Sequence, residues 1–141
     1  MDLTIQLNNI KLNIRVAVLI KTSKGYIFEK GNDGYFFTLG GRVKINESSL
    51  EAAQREVREE IDYDMTQGKL VAIVENFFGP IDAVVHEICF VYRQHEMITV
   101  DLPSNFLELD ERDLINKDIR PEIIRKIIID TNDGIAHYIL K

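Results

Sequence analysis

Cysteine is nearly absent. Cys89 is the single thiol in 141 residues, so no intramolecular disulfide can form and no cysteine cluster can hold zinc. Such a chain suits a reducing compartment, and Cys89 reads as a small buried hydrophobe. Tryptophan is missing, proline occurs three times, and no Pro-, Ser- or Gly-rich stretch marks a linker. Long apolar runs are missing too: Val16 to Ile20 is five residues between Arg15 and Lys21, far below the roughly 20 that span a bilayer. Met1 to Ile10 carries Asp2, Asn8 and Asn9 and no basic start, so it does not read as a secretory signal, and the expected localisation is cytoplasmic with no membrane partner. Positive charge is in deficit, 17 Lys+Arg against 23 Asp+Glu for a net −6, which argues against binding duplex nucleic acid. The remainder, 45% hydrophobic and 28% charged, is the composition of a globular protein, and the length suits one domain over residues 1–141.

The first segment predicts a hairpin, Leu3 to Leu7 and Lys11 to Lys21 around a turn at Asn8-Asn9. Thr22 to Gly25 and Gly31 to Gly34 supply turns into further strands, Tyr26 to Glu29 and Tyr35 to Leu39. Strands are also expected at Lys69 to Glu75 and Glu87 to Tyr92, around a Gly79-Pro80 turn, and a short one near Phe106. Pro121 opens a second helix over Glu122 to Ile128, whose Ile123, Ile124, Ile127 and Ile128 form a face to be packed. A homodimer through that face is the alternative use. Gly134 precedes a last strand, Ile135 to Leu140. This order implies an α/β (α+β) architecture, a mixed β-sheet between helices.

Between Ser48 and Ile61 the period changes. Leu50, Ala53, Val57 and Ile61 are spaced three, four and four apart, and Ser48 with Glu51 reads as a capping box. At 100° per residue with Val57 as zero, the apolar stripe lies within about 40°, while Glu60, Glu56 and Glu59 fall near −60°, −100° and −160°. Like charges at this spacing repel by a few tenths of a kcal/mol per pair, and by more as they leave water. The arrangement gains a fold nothing unless a cation sits there, and a divalent metal is the natural candidate. A solvated helix face with Arg55 pairing to Glu59 is the bland alternative. The upstream spacing weighs against it: Gly40-Gly41, five residues, Glu47, seven residues, then Arg55-Glu56-Val57-Arg58-Glu59-Glu60. By average residue usage such a coincidence is on the order of one in a few hundred thousand.

These residues resemble the Nudix box, Gly41 to Tyr63, with Asp62 standing where the box has glycine and Tyr63 where it has an aliphatic residue. Asp is one of the few residues besides glycine to tolerate a left-handed helix end, so the expected effect is a modest loss of stability with the chemistry intact. Phe36 to Leu39 lacks the proline often found before the double glycine, which removes rigidity but no ligand. The resemblance implies a Nudix-like α/β/α sandwich and a metal-dependent pyrophosphohydrolase. It would cleave a nucleoside diphosphate linked to another group, such as a nucleoside triphosphate, an oxidised nucleotide or a nucleotide sugar, by attack of water on phosphorus. The implied cofactor is Mg2+ or Mn2+ and the implied partner a small nucleotide-derived substrate.

On the same resemblance Glu56 and Glu60 are metal ligands, with Glu59 a further ligand or the group that polarises water, and the Gly40 carbonyl completing the shell. Arg55 would orient a glutamate, with Glu47 its partner. Arg42 and Lys44 are candidates for phosphate and Glu87 for substrate; Glu75, Glu87 and Glu108 are the acids outside the box able to serve as base. Tyr35-Phe36-Phe37 and Phe77-Phe78 offer either base stacking or core packing, and His86 is a weaker substrate candidate. The rival from another class is a catalytically inactive Nudix-fold nucleotide-binding sensor, which would have little reason to keep Glu47, Arg55, Glu56, Glu59 and Glu60 together.

Overall fold

The computed structural model describes residues 1–130 and 132–141. Its elements run β1 (Thr4–Leu7), β2 (Ile10–Leu19), β3 (Lys21–Thr22), β4 (Gly25–Lys30), β5 (Tyr35–Arg42), α1 (Ser49–Ile61), β6 (Gly68–Phe78), β7 (Val85–Gln94), β8 (Phe106–Leu109), α2 (Glu111–Asn116), β9 (Asp118–Ile119), α3 (Ile123–Ile129) and β10 (Ala136–Leu140). The sheet has the order β10-β6-β7-β2-β5-β4-β3, with β1 beside β2, β8 beside β4 and β9 beside β5. It is mixed: β2 runs parallel to β7 and β10 parallel to β6, while β2–β5 and β6–β7 are antiparallel.

Two apolar layers flank this sheet because successive strand residues point to opposite faces. Val16, Val18, Tyr92 and Leu39 face α1, which contributes Ala52, Ala53, Val57 and Ile61. Ala17, Leu19, Val74 and Val91 face the other way, onto Leu114 of α2 and Ile124 and Ile127 of α3. The result is the helix–sheet–helix sandwich expected from the element order.

Helix α1 starts as its sequence dictates. Ser48 is the N-cap, its hydroxyl accepting from the Glu51 N–H while the Glu51 carboxylate accepts from the Ser48 N–H. It ends at Asp62, which takes φ 52° and ψ 47° and donates its N–H to the Arg58 carbonyl, so aspartate does hold the left-handed position. The apolar stripe differs at one place: Leu50, in the first turn, is 36% exposed, and Ala52 is buried instead.

Several strands outrun their apolar centres. β5 continues from Leu39 through Gly40-Gly41 to Arg42, β6 reaches Phe78, and β7 spans Val85–Gln94. α2, unread in the sequence, buries only Leu114 and is set by a second capping box between Asp110 and Asp113. α3 packs with Ile124 and Ile127 buried, which answers the expected apolar face.

Candidate active site

The box residues meet where the end of β5 passes the second half of α1. Two side-chain-free positions make that approach possible. Gly40 has φ 148°, and a Cβ there would collide with the Val16 carbonyl oxygen on β2; a Cβ on Gly41 would occupy the place of the Glu56 carboxylate. Glu56 therefore lies against the backbone of β5, and Glu60, one turn on, accepts a 2.8 Å hydrogen bond from the Gly40 N–H.

Arg55 organises the rest. Its Nε donates to Glu47 Oε2 at 2.7 Å and its Nη2 to Glu47 Oε1 at 2.9 Å, a two-pronged pair. Nη1 donates to Glu56 Oε1 at 2.8 Å and Glu59 Oε2 at 3.2 Å, and the second prong of Nη2 reaches the Arg42 carbonyl at 2.9 Å. Glu47 also accepts the Lys44 N–H at 2.9 Å. One guanidinium thus fastens the residues ahead of α1, the helix and the end of β5 together.

The helix geometry orders the acids. Glu60, closest to the buried stripe, is half-buried, and its carboxyl is pushed up to about 8 by burial, the Gly40 N–H opposing. Glu56 is raised as well, again by burial, although the Arg55 guanidinium pulls it down. Glu59, farthest round the helix, leaves its side chain 53% exposed. Glu47 is held below the ordinary carboxylate range by its hydrogen bonds from Arg55, which raise Arg55 in turn.

Gly40 and Glu60 open onto a cleft of about 790 Å³. Its floor is the sheet face carrying Arg15, Val74, Asn76, Phe78, Glu87 and Cys89, and its other side includes Tyr35, Phe37, Arg120 and Glu122. Glu87 is raised by burial against the pull of Arg15, whose Nε stands 3.9 Å from it. Tyr35 and Phe37 meet edge-on at 4.8 Å between centroids, and the Arg120 guanidinium lies 4.3 Å over the Tyr35 ring, steadied by Asp118 at 3.2 Å. Cys89 is desolvated enough to push its thiol up to about 12.

The structure thus brings Glu47, Arg55, Glu56, Glu59 and Glu60 together beside Gly40, and places Glu87 in the adjoining cleft. Arg42 and Lys44 lie outside the cleft lining; Arg42 extends toward Asp2, 3.8 Å away. Of the other acids, Glu75 binds His137 at 2.7 Å and Glu108 meets the Thr22 hydroxyl at 3.5 Å, neither in the cleft. His86 stacks on Phe77 at 4.2 Å, away from the cleft, whereas Phe78 lines it. The aromatic clusters therefore divide, with Phe36 in the core and Tyr35, Phe37 and Phe78 at the cleft. Sequence reading missed Arg15, Glu29, Asn76 and Arg120. Only the strand alternation of Arg15 with Val16 could have pointed to any of them.

The donor set suits a hard divalent cation: carboxylate oxygens, two of them raised by burial, beside a glycine backbone. Among the described residues no three His, Cys, Asp or Glu side chains already stand at ligand spacing, so an ion would draw the carboxylates inward.

The fold has known counterparts. The mutator MutT protein from Bacillus halodurans superposes with a TM-score of 0.73 at 16% identity, over 90% of each chain. The E. coli dihydroneopterin triphosphate pyrophosphohydrolase gives 0.60 at 19% identity, over 82% of this chain and 91% of the other. An ADP-ribose pyrophosphatase from Streptococcus suis gives 0.58 at 16%, over 90% and 98%. No curated protein sequence matches the chain. At these identities the structural likeness establishes the fold, which is the expected sandwich. The NUDIX domain description matches residues 11–117, a span that carries β2 to α2 and every box residue of the site, and on that match the chain belongs to the NUDIX domain family.

Proposed function

We propose that this Nudix hydrolase cleaves the pyrophosphate linkage of a small nucleotide derivative with Mg2+ or Mn2+ bound at Glu56 and Glu60, in the cytoplasm. The observation that carries the reading is that Glu60 and Gly40 line the same cleft as Tyr35, Phe37 and Phe78. A site for the charged diphosphate and an aromatic surface for a planar group are continuous, and the cleft has the volume range of a small-ligand site.

When bound, the metal would neutralise phosphate charge and lower the pKa of a coordinated water. The remaining work belongs to the chain. Glu56 and Glu60 supply oxygen ligands, with the Gly40 carbonyl and Glu59 completing the shell or Glu59 taking the proton of the attacking water. Arg55 orients these carboxylates through Glu47 and Glu56 and leaves phosphate to other cations. Glu87, on the cleft floor, is the proposed contact to substrate within the cleft, and Arg42 and Lys44, outside its lining on the box side, are proposed for phosphate that projects beyond it. The sheet floor keeps bulk water from the substrate's planar end.

The test is hydrolysis, with and without magnesium, of nucleoside triphosphates, nucleotide sugars, ADP-ribose and dinucleoside polyphosphates, with products identified by mass. Magnesium-dependent release of a nucleoside monophosphate is expected from one of these classes. Glu56→Gln and Glu60→Gln should each lower turnover at least ~100-fold with the circular dichroism unchanged. Full activity in both variants would overturn the metal assignment.

A further inference from the structure

The sheet ends in an open edge. Among the described residues β10 pairs only with β6, in parallel, and its outer N–H and C=O groups face away from the sheet. Exposed edges in natural proteins are usually blunted by lysine, proline or a bulge. Here Gly134-Ile135-Ala136-His137-Tyr138-Ile139-Leu140 contains no lysine, no proline and no carboxylate, and Ile135 and Ile139 stand 57% and 60% exposed.

We propose that this edge pairs antiparallel with the β10 edge of a second copy of the chain, about a two-fold axis at His137. Antiparallel pairing centred on residue 137 sets each residue opposite the one equally far on the other side of the axis. Ile135 then meets Ile139 twice, Ala136 meets Tyr138, and Gly134 meets Leu140. One step further out, Asp133 faces Lys141, also twice, so both ends of the pairing close with opposite charges. Neighbouring registers lose this match. An axis at Tyr138 puts Ile135 opposite Lys141 and His137 opposite Ile139, and an axis at Ala136 puts Asp133 opposite Ile139.

The register satisfies the backbone as well. A residue-centred axis pairs odd positions with odd and even with even, so whichever set turns its N–H and C=O outward meets the same set in the other copy. His137 on the axis already holds Glu75 of its own β6 at 2.7 Å, so each imidazole carries its own carboxylate. A two-fold normal to the sheet also leaves both clefts on one side. The two β6 strands, which supply Val74, Asn76 and Phe78 to the cleft floors, would stand three strand spacings apart, about 14 Å.

The test is sedimentation velocity of the full chain over a hundredfold concentration range, with two sets of variants. A monomer–dimer equilibrium is expected. Asp133→Lys should weaken it about tenfold by setting lysine against Lys141, and the exchanged pair Asp133→Lys/Lys141→Asp should restore it, which separates pairing from folding. On mild oxidation His137→Cys should form a covalent dimer, because directly opposed Cα atoms lie about 4.5–5.5 Å apart, within disulfide reach. Tyr138→Cys, whose copies would be about 8 Å apart, should not, and it controls for the native Cys89. A wild type that stays monomeric throughout overturns the proposal, even if the edge takes an extended segment of some other protein. So does a dimer indifferent to Asp133→Lys and unlinked by His137→Cys, which would place the interface on another face.

Discussion

Removing the Arg55 guanidinium probes the site most directly. Arg55 makes five hydrogen bonds, four of them to carboxylates, with its own side chain 20% exposed and those of Glu47 and Glu56 only 13% and 15%. Arg55→Ala leaves three glutamates side by side without a cation. Breaking a buried pair from one side costs roughly 3–5 kcal/mol. Partial solvent access here, and the near-zero worth of the contact to exposed Glu59, place the expectation at about 3 kcal/mol. With an unfolding entropy of about 2.1 cal/mol/K per residue over 141 residues, that lowers the Tm by about 10 °C. Arg55→Lys keeps the charge but loses the fork, and should recover less than half of the loss. Urea and thermal unfolding of metal-free protein measure both, and a cycle with Glu47→Gln should give a coupling of at least ~1.5 kcal/mol. Arg55→Ala within ~1 kcal/mol of wild type, or Arg55→Lys identical to it, would refute the organising role.

Two further outcomes follow from the same geometry. Burial raises the Glu60 carboxyl to about 8, so between the unfolded value of 4.5 and about 8 the folded protein binds the extra proton. Stability of the metal-free protein should therefore fall as pH rises through that window, relative to Glu60→Gln, and added magnesium should offset the fall at the upper end; parallel urea profiles for the two proteins would contradict the buried placement of Glu60. Asp62 bears the left-handed C-terminal position of α1, where a side chain is strained and glycine is not. Asp62→Gly should stabilise by about 0.5 kcal/mol after the added chain entropy of glycine is counted, with unchanged turnover, whereas a destabilised variant would show that the carboxylate contributes more than its backbone costs.

The readable half of the molecule was the local half. α1 declared itself through period and capping box, and the angular order of Glu60, Glu56 and Glu59 anticipated their order of exposure, because one helix fixes both. Ser48 and Asp62 bound it for reasons visible in the residues alone. α2 escaped notice because it buries one side chain, Leu114, in a stretch of charge; the Asp110–Asp113 pair was its only signal. β6 runs past its expected end at Glu75 because two of its outer residues, Asn76 and Phe78, line a cleft instead of a core.

That cleft shows why its lining is not legible in the sequence. His86 and Glu87 are neighbours in the chain, yet strand alternation sends His86 against Phe77 and Glu87 into the cleft, so adjacency separates them. Arg15, Asn76 and Arg120 are more than forty residues apart from one another and converge only because β2 lies beside β7, β7 beside β6, and β9 beside β5. The box, by contrast, is one turn and one helix, and its spacing is its geometry. A family that acts on a common diphosphate can carry that chemistry in such a local segment, while the choice of what is joined to the diphosphate falls to residues gathered from across the sheet. On the function proposed above those residues would be the ones that line the cleft, Tyr35, Phe37, Asn76, Phe78, Glu87 and Arg120, and differences among relatives in what they cleave should be sought at the corresponding positions, not in the box.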